Sequence, residues 1–209
     1  MSNISNKRIL IIPARGGSRR IIKKNIKIFF GKPMIYYPLE AAIKSKLFDK
    51  IHVSTDDIET SEIVNKLGLS IDFMRPKKYS NDETSVLDVL KFVIKKYIKK
   101  KHLFEEVWCI LPCSPLIEKS IILNASKIFK KINKQPLMSV VKYNCPIEWS
   151  FKLNNQMKLI PGNRNDHFKS SKVLGDKFHD AGMLYAHKSK DLLKFNNRNI
   201  YSKYFGFVI

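Results

Sequence analysis

The stretch Arg15-Gly16-Gly17-Ser18 directly follows an apolar run, and Lys24-Asn25 closes a basic segment that also holds Arg19, Arg20 and Lys23. Residue types in this order can hold a polyanion. Glycines let backbone N–H groups approach phosphate oxygens that a Cβ would keep at a distance. An arginine such as Arg15 grips a phosphate through two parallel hydrogen bonds, and a lysine such as Lys24 brings a mobile point charge. The spacing is neither a Walker P-loop nor a GxGxxG fingerprint. On spacing alone, a plain solvated glycine turn stays open beside phosphate binding. Arg19, Arg20 and Lys23 are expected to face water.

Other residues carry weaker signals. Asp56 and Asp57 follow a second apolar run, and Asp57 is read as the cap of the helix after it. Asp82 or Thr84 is expected to cap a later helix. His179 and Asp180 stand together in "FHDAGMLYA". Cys109, Cys113 and Cys145 are too few for a disulfide framework and show no zinc-site spacing; Cys109 falls in an apolar run and should be core.

Positioning such a loop requires a sheet. Short apolar runs at 8–13, 51–55, 71–75, 107–112 and 137–143 read as buried strands, "DAGMLYAHK" as a further one and "IYSKYFGFVI" as the last. Helical periodicity separates them. In 84–100, Val86, Leu90, Val93 and Tyr97 share a face, and in 118–132 Ile121, Ala125, Ile128 and Ile132 do the same. "IETSEIVNKLG" ends in Gly68, a natural helix stop, and the stretch from Pro33 to Leu47 is also read as helical. Alternating strand and helix predict an α/β fold with a mostly parallel sheet covered on both faces, and the glycine loop then falls at the carboxyl edge where such sheets collect ligands. Residues 144–178 break the pattern and read as an excursion within a single domain over 1–209.

Composition bounds the partners. The 209 residues are 44% hydrophobic, enough for a core, with 39 Lys+Arg against 18 Asp+Glu and a net charge of +21. That excess suits nucleic acid, an anionic membrane or a phosphorylated small molecule, but it is spread through the chain with many Ile and Asn, as genome-wide bias also produces. No signal peptide and no membrane-length apolar stretch is read, so a cytoplasmic setting is the default.

The segment "IIPARGGSRRIIKKNIKIFFGKPMIYYPLEAA" resembles the opening of the cytidylyltransferases that activate sialic-acid-like sugars. The resemblance continues through "FDKIHVSTDDIETSEIVNKLG", "RPKKYSNDETSVLDVL" and "LPCSPL", in order, to about Leu116. "FHDAGMLYA" is similar to the branch that makes CMP-pseudaminic acid. The resemblance implies a three-layer, Rossmann-like nucleotide-diphospho-sugar transferase fold with a small dimerisation excursion. It implies an enzyme that transfers CMP from CTP to the anomeric hydroxyl of a nine-carbon acidic keto sugar, with release of pyrophosphate. Arg15 and Lys24 are the implied catalytic cations, and Arg15, Gly16, Gly17, Ser18, Lys24, Asn25, Arg75 and Ser85 the implied nucleotide site. His179 and Asp180 are the implied sugar contacts. The expected partners are CTP, an acidic sugar, Mg²⁺ and a second copy of the chain, and nucleic acid is not expected.

The pattern is not followed everywhere. Ile22 replaces a proline, Leu111 stands where sialic-acid members carry Gln, Ile117 where they often carry Arg, and Glu148 where the pseudaminic branch has another polar or basic residue. An acidic segment that family members place after the strand matching "YFGFVI" has no counterpart before Ile209. Asp180 is therefore the expected Mg²⁺ ligand, with substrate phosphates completing the shell; the alternative is a truncated, impaired relative that holds nucleotide or nucleic acid without turnover. Sialic and legionaminic acids are the alternative substrates.

Overall fold

The computed structural model describes residues 7–162, 165–196 and 200–209. In chain order, the elements are β1 (Arg8–Pro13), β2 (Ile28–Phe29), β3 (Lys32–Pro33), α1 (Tyr36–Ser45), β4 (Lys50–Ser54), α2 (Ile58–Lys66), α3 (Val86–Lys99) and β5 (Glu106–Ile110). They continue with α4 (Lys119–Lys131), β6 (Leu137–Lys142), β7 (Phe151–Leu153), β8 (Leu159–Pro161), α5 (Ser171–Leu174), β9 (Phe178–Lys188), α6 (Ser189–Lys194) and β10 (Phe205–Val208).

Six strands form the main sheet in the order β10–β6–β9–β5–β1–β4. The pairs β1–β4, β1–β5 and β10–β6 are parallel, while β9 runs antiparallel to both β5 and β6. The expected mostly parallel α/β sheet is therefore present, and β9 brings its first residues, not its last, to the carboxyl edge.

The strands read as continuous apolar runs because both faces are covered. Leu10, Ile12, Trp108 and Ile110 point into a core under α1 and α4, whereas Ile9, Ile11, Val107 and Cys109 point into a second core under α3. This period-two split of one strand between two cores defines the three layers. Cys109 is core, as expected, and the three cysteines are free.

Two local expectations need correction. Residues 71–75 form no strand. Phe73 packs on His52 and Tyr97, and Asp72 pairs with Lys50, so the side chains are used while the backbone stays off the edge strand β4. Helix α3 is capped not by Asp82 or Thr84 but by Ser85. The Ser85 side chain accepts from the Asp88 N–H at 3.1 Å, and the Asp88 carboxylate accepts from the Ser85 N–H at 3.3 Å, a capping box. Asp57 caps α2 as expected, accepting from the Thr60 N–H at 2.9 Å. Gly68 follows α2 at φ +82°, the left-handed conformation that ends helices.

The excursion holds the β7–β8 hairpin and α5. Its residues Asn163 and Arg164 lie outside the described residues.

Candidate active site

Strand β1 ends at Pro13, and Ala14 continues the parallel register by donating its N–H to the Ser54 carbonyl at 2.9 Å. The chain then leaves the sheet as the glycine loop. Asn25, buried, folds that loop back: its Nδ2 donates to the Arg15 carbonyl at 2.8 Å, and its Oδ1 accepts from the Cys113 thiol at 3.5 Å. Both ends of the Asn25 amide are thus spent on shaping the loop.

A cavity of about 350 Å³ opens at this carboxyl edge. It gathers Arg15, Ser18, Lys24, Asn25 and Arg75, residues from two distant segments of the chain, against Leu111 and Cys113 after β5 and Gly182 of β9. Lys24 has no carboxylate partner among the described residues, so its charge faces the cavity uncompensated.

Arg75 is 5% exposed. Its Nε donates to the Ser54 hydroxyl at 3.1 Å, Nη1 to the Tyr79 carbonyl at 3.4 Å, and Nη2 to the Ser54 carbonyl. None of these partners is charged. Burial pulls its pKa down to about 10; the Asp56 carboxylate works against this and Arg15 adds to it. A buried guanidinium without a carboxylate against it is held at a cost that an anion in the cavity would offset.

Arg15 donates to Asp82 at 2.7 Å and to the Ser80 carbonyl at 3.4 Å, and Arg19 also pairs with Asp82, at 2.5 Å. The Arg15 hydrogen bond holds the Asp82 carboxyl below its usual range. Asp82 thus ties the glycine loop to the segment before α3. Arg19 and Lys23 are exposed as expected, although Lys23 also pairs with Glu59.

The two loop glycines differ. The Gly16 N–H donates to Asp56 at 3.0 Å, and a Cβ at Gly16 would lie 2.8 Å from the Asp57 Cβ, so glycine is required here by the helix cap beside it. A Cβ at Gly17 would meet nothing within 4 Å. The close approach expected for both glycines is therefore an approach to protein at the first.

Ser85, Asp180 and Tyr185 line an adjoining slot of about 420 Å³ between α3 and β9, and Val86 borders both spaces. Asp180 Oδ1 accepts from the Gly182 N–H at 2.8 Å and Oδ2 from the Tyr185 hydroxyl at 2.7 Å. Gly182, at φ +60°, makes this turn possible. His179 instead stacks edge-on against Tyr143, with ring centroids 4.8 Å apart, and lines neither space.

Cys113, Gly182, Tyr185 and Tyr204 were not singled out from sequence. Gly182 and Tyr185 lay inside the noted "FHDAGMLYA", and Cys113 inside "LPCSPL". Of the positions that depart from the family pattern, Leu111 lines the cavity, Ile117 is packed in the core, and Glu148 is buried and paired with Lys177. Among the described residues no group of three or more His, Cys, Asp or Glu could hold a metal ion, and no helix is long and apolar enough to cross a membrane.

Comparison with known proteins shows the family. Over 191 residues the chain is 36% identical to the pseudaminic acid cytidylyltransferase of Campylobacter jejuni, covering 90% of this chain and 81% of that one. It is 26% identical over 198 residues to the CMP-N,N'-diacetyllegionaminic acid synthase of Legionella pneumophila, covering 93% and 83% of the two chains. A solved CMP:2-keto-3-deoxy-manno-octonic acid synthetase, complexed with CTP, superposes with a TM-score of 0.69 over 97% of this chain and 90% of that one; at 18% identity it speaks for the fold. The family model described as Cytidylyltransferase matches residues 9–201, nearly the whole chain, and the chain belongs to that family of CTP-using nucleotidyltransferases.

Proposed function

We propose that this protein transfers CMP from CTP to the anomeric hydroxyl of a nine-carbon acidic sugar, pseudaminic acid in the first instance, releasing pyrophosphate. The observation that carries the reading is the convergence of Arg15, Lys24 and Arg75 on one cavity at the carboxyl edge, beside a second space that ends at Asp180. The names of the relatives supply the sugar class: pseudaminic acid for the Campylobacter protein, diacetyllegionaminic acid for the Legionella one.

In this reading the triphosphate lies along the glycine loop. Arg75, with two of its five N–H donors unspent, and Lys24 meet the charge that grows on the phosphate oxygens and the departing pyrophosphate. Fixed cations in a partly dry site stabilise such charge with little reorganisation. Arg15 keeps donors free beyond those given to Asp82 and Ser80, and Ser18 and Asn25 hold the loop's shape. The acid sugar occupies the slot, with Asp180 near the boundary where its hydroxyl meets the α-phosphate. His179, stacked on Tyr143, is assigned to the rim of the sugar site.

Mg²⁺ fits the residues present in a limited sense. Each Asp180 oxygen accepts one protein hydrogen bond, which leaves lone pairs for a cation that commonly takes one or two carboxylates plus phosphate oxygens and water. When bound there, it would neutralise phosphate charge.

The excursion supports a homodimer. Trp149, Phe151, Leu153, Leu159 and Phe168 are large, apolar and exposed on it, a patch of the kind that a second copy covers. A cytoplasmic location belongs to the same proposal.

The test is product analysis by mass spectrometry with CTP, Mg²⁺ and pseudaminic acid. CMP-sugar is expected from the wild type, with Lys24→Ala slower by about 10²-fold or more. Full activity in Lys24→Ala would remove the lysine from the mechanism, and no CMP-sugar from the wild type would overturn the assignment.

A further inference from the structure

The β2–β3 hairpin stands beside the glycine loop and carries side chains that the phosphate site does not use. Its base is tied to that loop: the Ile35 N–H donates to the Asn25 carbonyl at 2.8 Å, and the Met34 N–H to the Lys27 carbonyl at 2.9 Å. Ile28 pairs with Pro33 and Phe29 with Lys32, so Phe30 and Gly31 form a two-residue turn. Both have positive φ, +44° and +77°, as in a type I′ turn, where Asn-Gly is the favoured pair. A phenylalanine at the first position is strained, because its Cβ crowds the backbone.

That strain brings no burial. Phe30 is 86% exposed, with Ile28 at 64% on the same hairpin and Ile22 at 80% on the segment leading to it. The hairpin is nevertheless held in place. The Tyr37 hydroxyl of α1 donates to the Phe29 carbonyl at 2.5 Å, and the Phe29 ring packs edge-on against both Tyr37 and Phe30. Phe29 is thus the anchor, and Phe30 is presented outward at the tip of a fixed projection. Backbone strain kept where the side chain adds nothing to the core points to a use outside the fold.

The charge around the tip indicates what it meets. Six of the fourteen residues from 19 to 32 are Lys or Arg and none is acidic, against 39 of 209 in the whole chain, so this cluster exceeds the general excess. Arg19 and Lys23 have carboxylate partners, and Lys24 faces the phosphate cavity. Arg20, Lys27 and Lys32 pair with no carboxylate among the described residues. A convex apolar tip among such cations complements an anionic bilayer surface. There, aromatic and aliphatic side chains enter the boundary between headgroups and acyl chains, while Lys and Arg meet lipid phosphates. We propose that the β2–β3 hairpin is a peripheral docking element that seats this protein on an anionic lipid surface. Phe30 and Ile28 enter the boundary, and Arg20, Lys27 and Lys32 supply the attraction. The phosphate cavity is then held beside the membrane, without any span across it.

The test is sedimentation of the full chain with phosphatidylcholine vesicles, with and without phosphatidylglycerol. The wild type is expected to bind the anionic vesicles only. Net charge alone would also cause adsorption, so the deciding variant is Phe30→Asn, which leaves the charge unchanged and suits the turn. Its partition coefficient should fall about ten-fold, as one large apolar side chain is withdrawn from the boundary, while Tm holds or rises. Lys27→Gln should weaken partition about five-fold, and less in high salt. In Phe30→Trp, lipids brominated on their acyl chains should quench fluorescence beyond the level set by the wild-type Trp108 and Trp149. Equal partition of wild type and Phe30→Asn, or no added quenching in Phe30→Trp, would reduce the binding to surface charge and overturn the proposal. So would a loss of self-association in Phe30→Asn with vesicle binding unchanged, which would assign the tip to a contact between copies of this chain.

Discussion

Replacing Arg75 by Met separates the cost of a buried cation from its use. The guanidinium titrates near 10 instead of the ordinary 12.5, a displacement that corresponds to about 3 kcal/mol of folded-state cost while the group is charged. Met removes that cost. It also takes donors away from the Ser54 hydroxyl and carbonyl and the Tyr79 carbonyl, at about 1–3 kcal/mol each if they stay dry. The cavity lets water reach part of this surface, so the two effects should nearly cancel and the unliganded Tm should move by no more than about 4 °C. Nucleotide binding should not be spared. Losing one charge-assisted contact, about 1.5–3 kcal/mol, raises the Kd for CTP by about 10- to 150-fold. At CTP equal to about 100 times the wild-type Kd, the wild type gains about 2.7 kcal/mol, or roughly 5–11 °C. The variant would keep about 0.3–1.4 kcal/mol, roughly 1–5 °C. Thermal scans with and without CTP read both quantities. A full CTP shift in Arg75→Met, or an unliganded variant that collapses, would refute the reasoning.

Two further outcomes follow from buried titratable groups, and one from the loop. His52 is fully buried, with its pKa lowered to about 4 chiefly by burial, so it stabilises the fold above its unfolded pKa near 6.5 and that stability is lost as pH falls toward 4. His52→Phe, which leaves the Tyr97 hydroxyl bonded to Asp72, should flatten the fall in urea midpoint between pH 7 and 4.5, and an unchanged slope would contradict this. Glu106 is buried between Arg8 and Lys134, each at 2.9 Å. Burial pushes its pKa up, but hydrogen bonds from Lys134 and Trp108 and the charges of Arg8 and Lys134 more than offset this and leave it lowered. Its contribution is thus present above the unfolded pKa near 4.5 and lost in acid; Glu106→Ala should cost about 3–5 kcal/mol at neutral pH, read by urea unfolding. Gly16→Ala should displace the loop from Asp57 and raise KM for CTP several-fold with little change in Tm, whereas Gly17→Ala should be tolerated.

Which parts of this molecule could be read from its sequence follows from how local their causes are. β1 and β5 were legible because burial on both faces leaves an apolar run, and α3 and α4 because one face alone meets the core. Residues 71–75 carry the same apolar signal, but nothing local says that Phe73 serves the second core while the backbone stays off the edge strand β4. The cap of α3 was misplaced by one residue from Thr84, since Asp82, Thr84 and Ser85 are all good caps and only the Asp88 partner three residues on selects Ser85. In the site, Arg15 and Lys24 announced themselves through the loop, and Arg75 through the family pattern. Tyr204 and His187 carried no such signal: they meet only because β9 runs against its neighbours and the chain returns past its far side before β10.

The most direct test of the central claim is the initial rate of Mg²⁺-dependent pyrophosphate release, with CTP, UTP, ATP and GTP each offered with pseudaminic, legionaminic and N-acetylneuraminic acids. The account predicts release with CTP alone among the nucleotides, fastest with pseudaminic acid and dependent on the sugar. Release without any sugar, or equal rates with all four nucleotides, would contradict it.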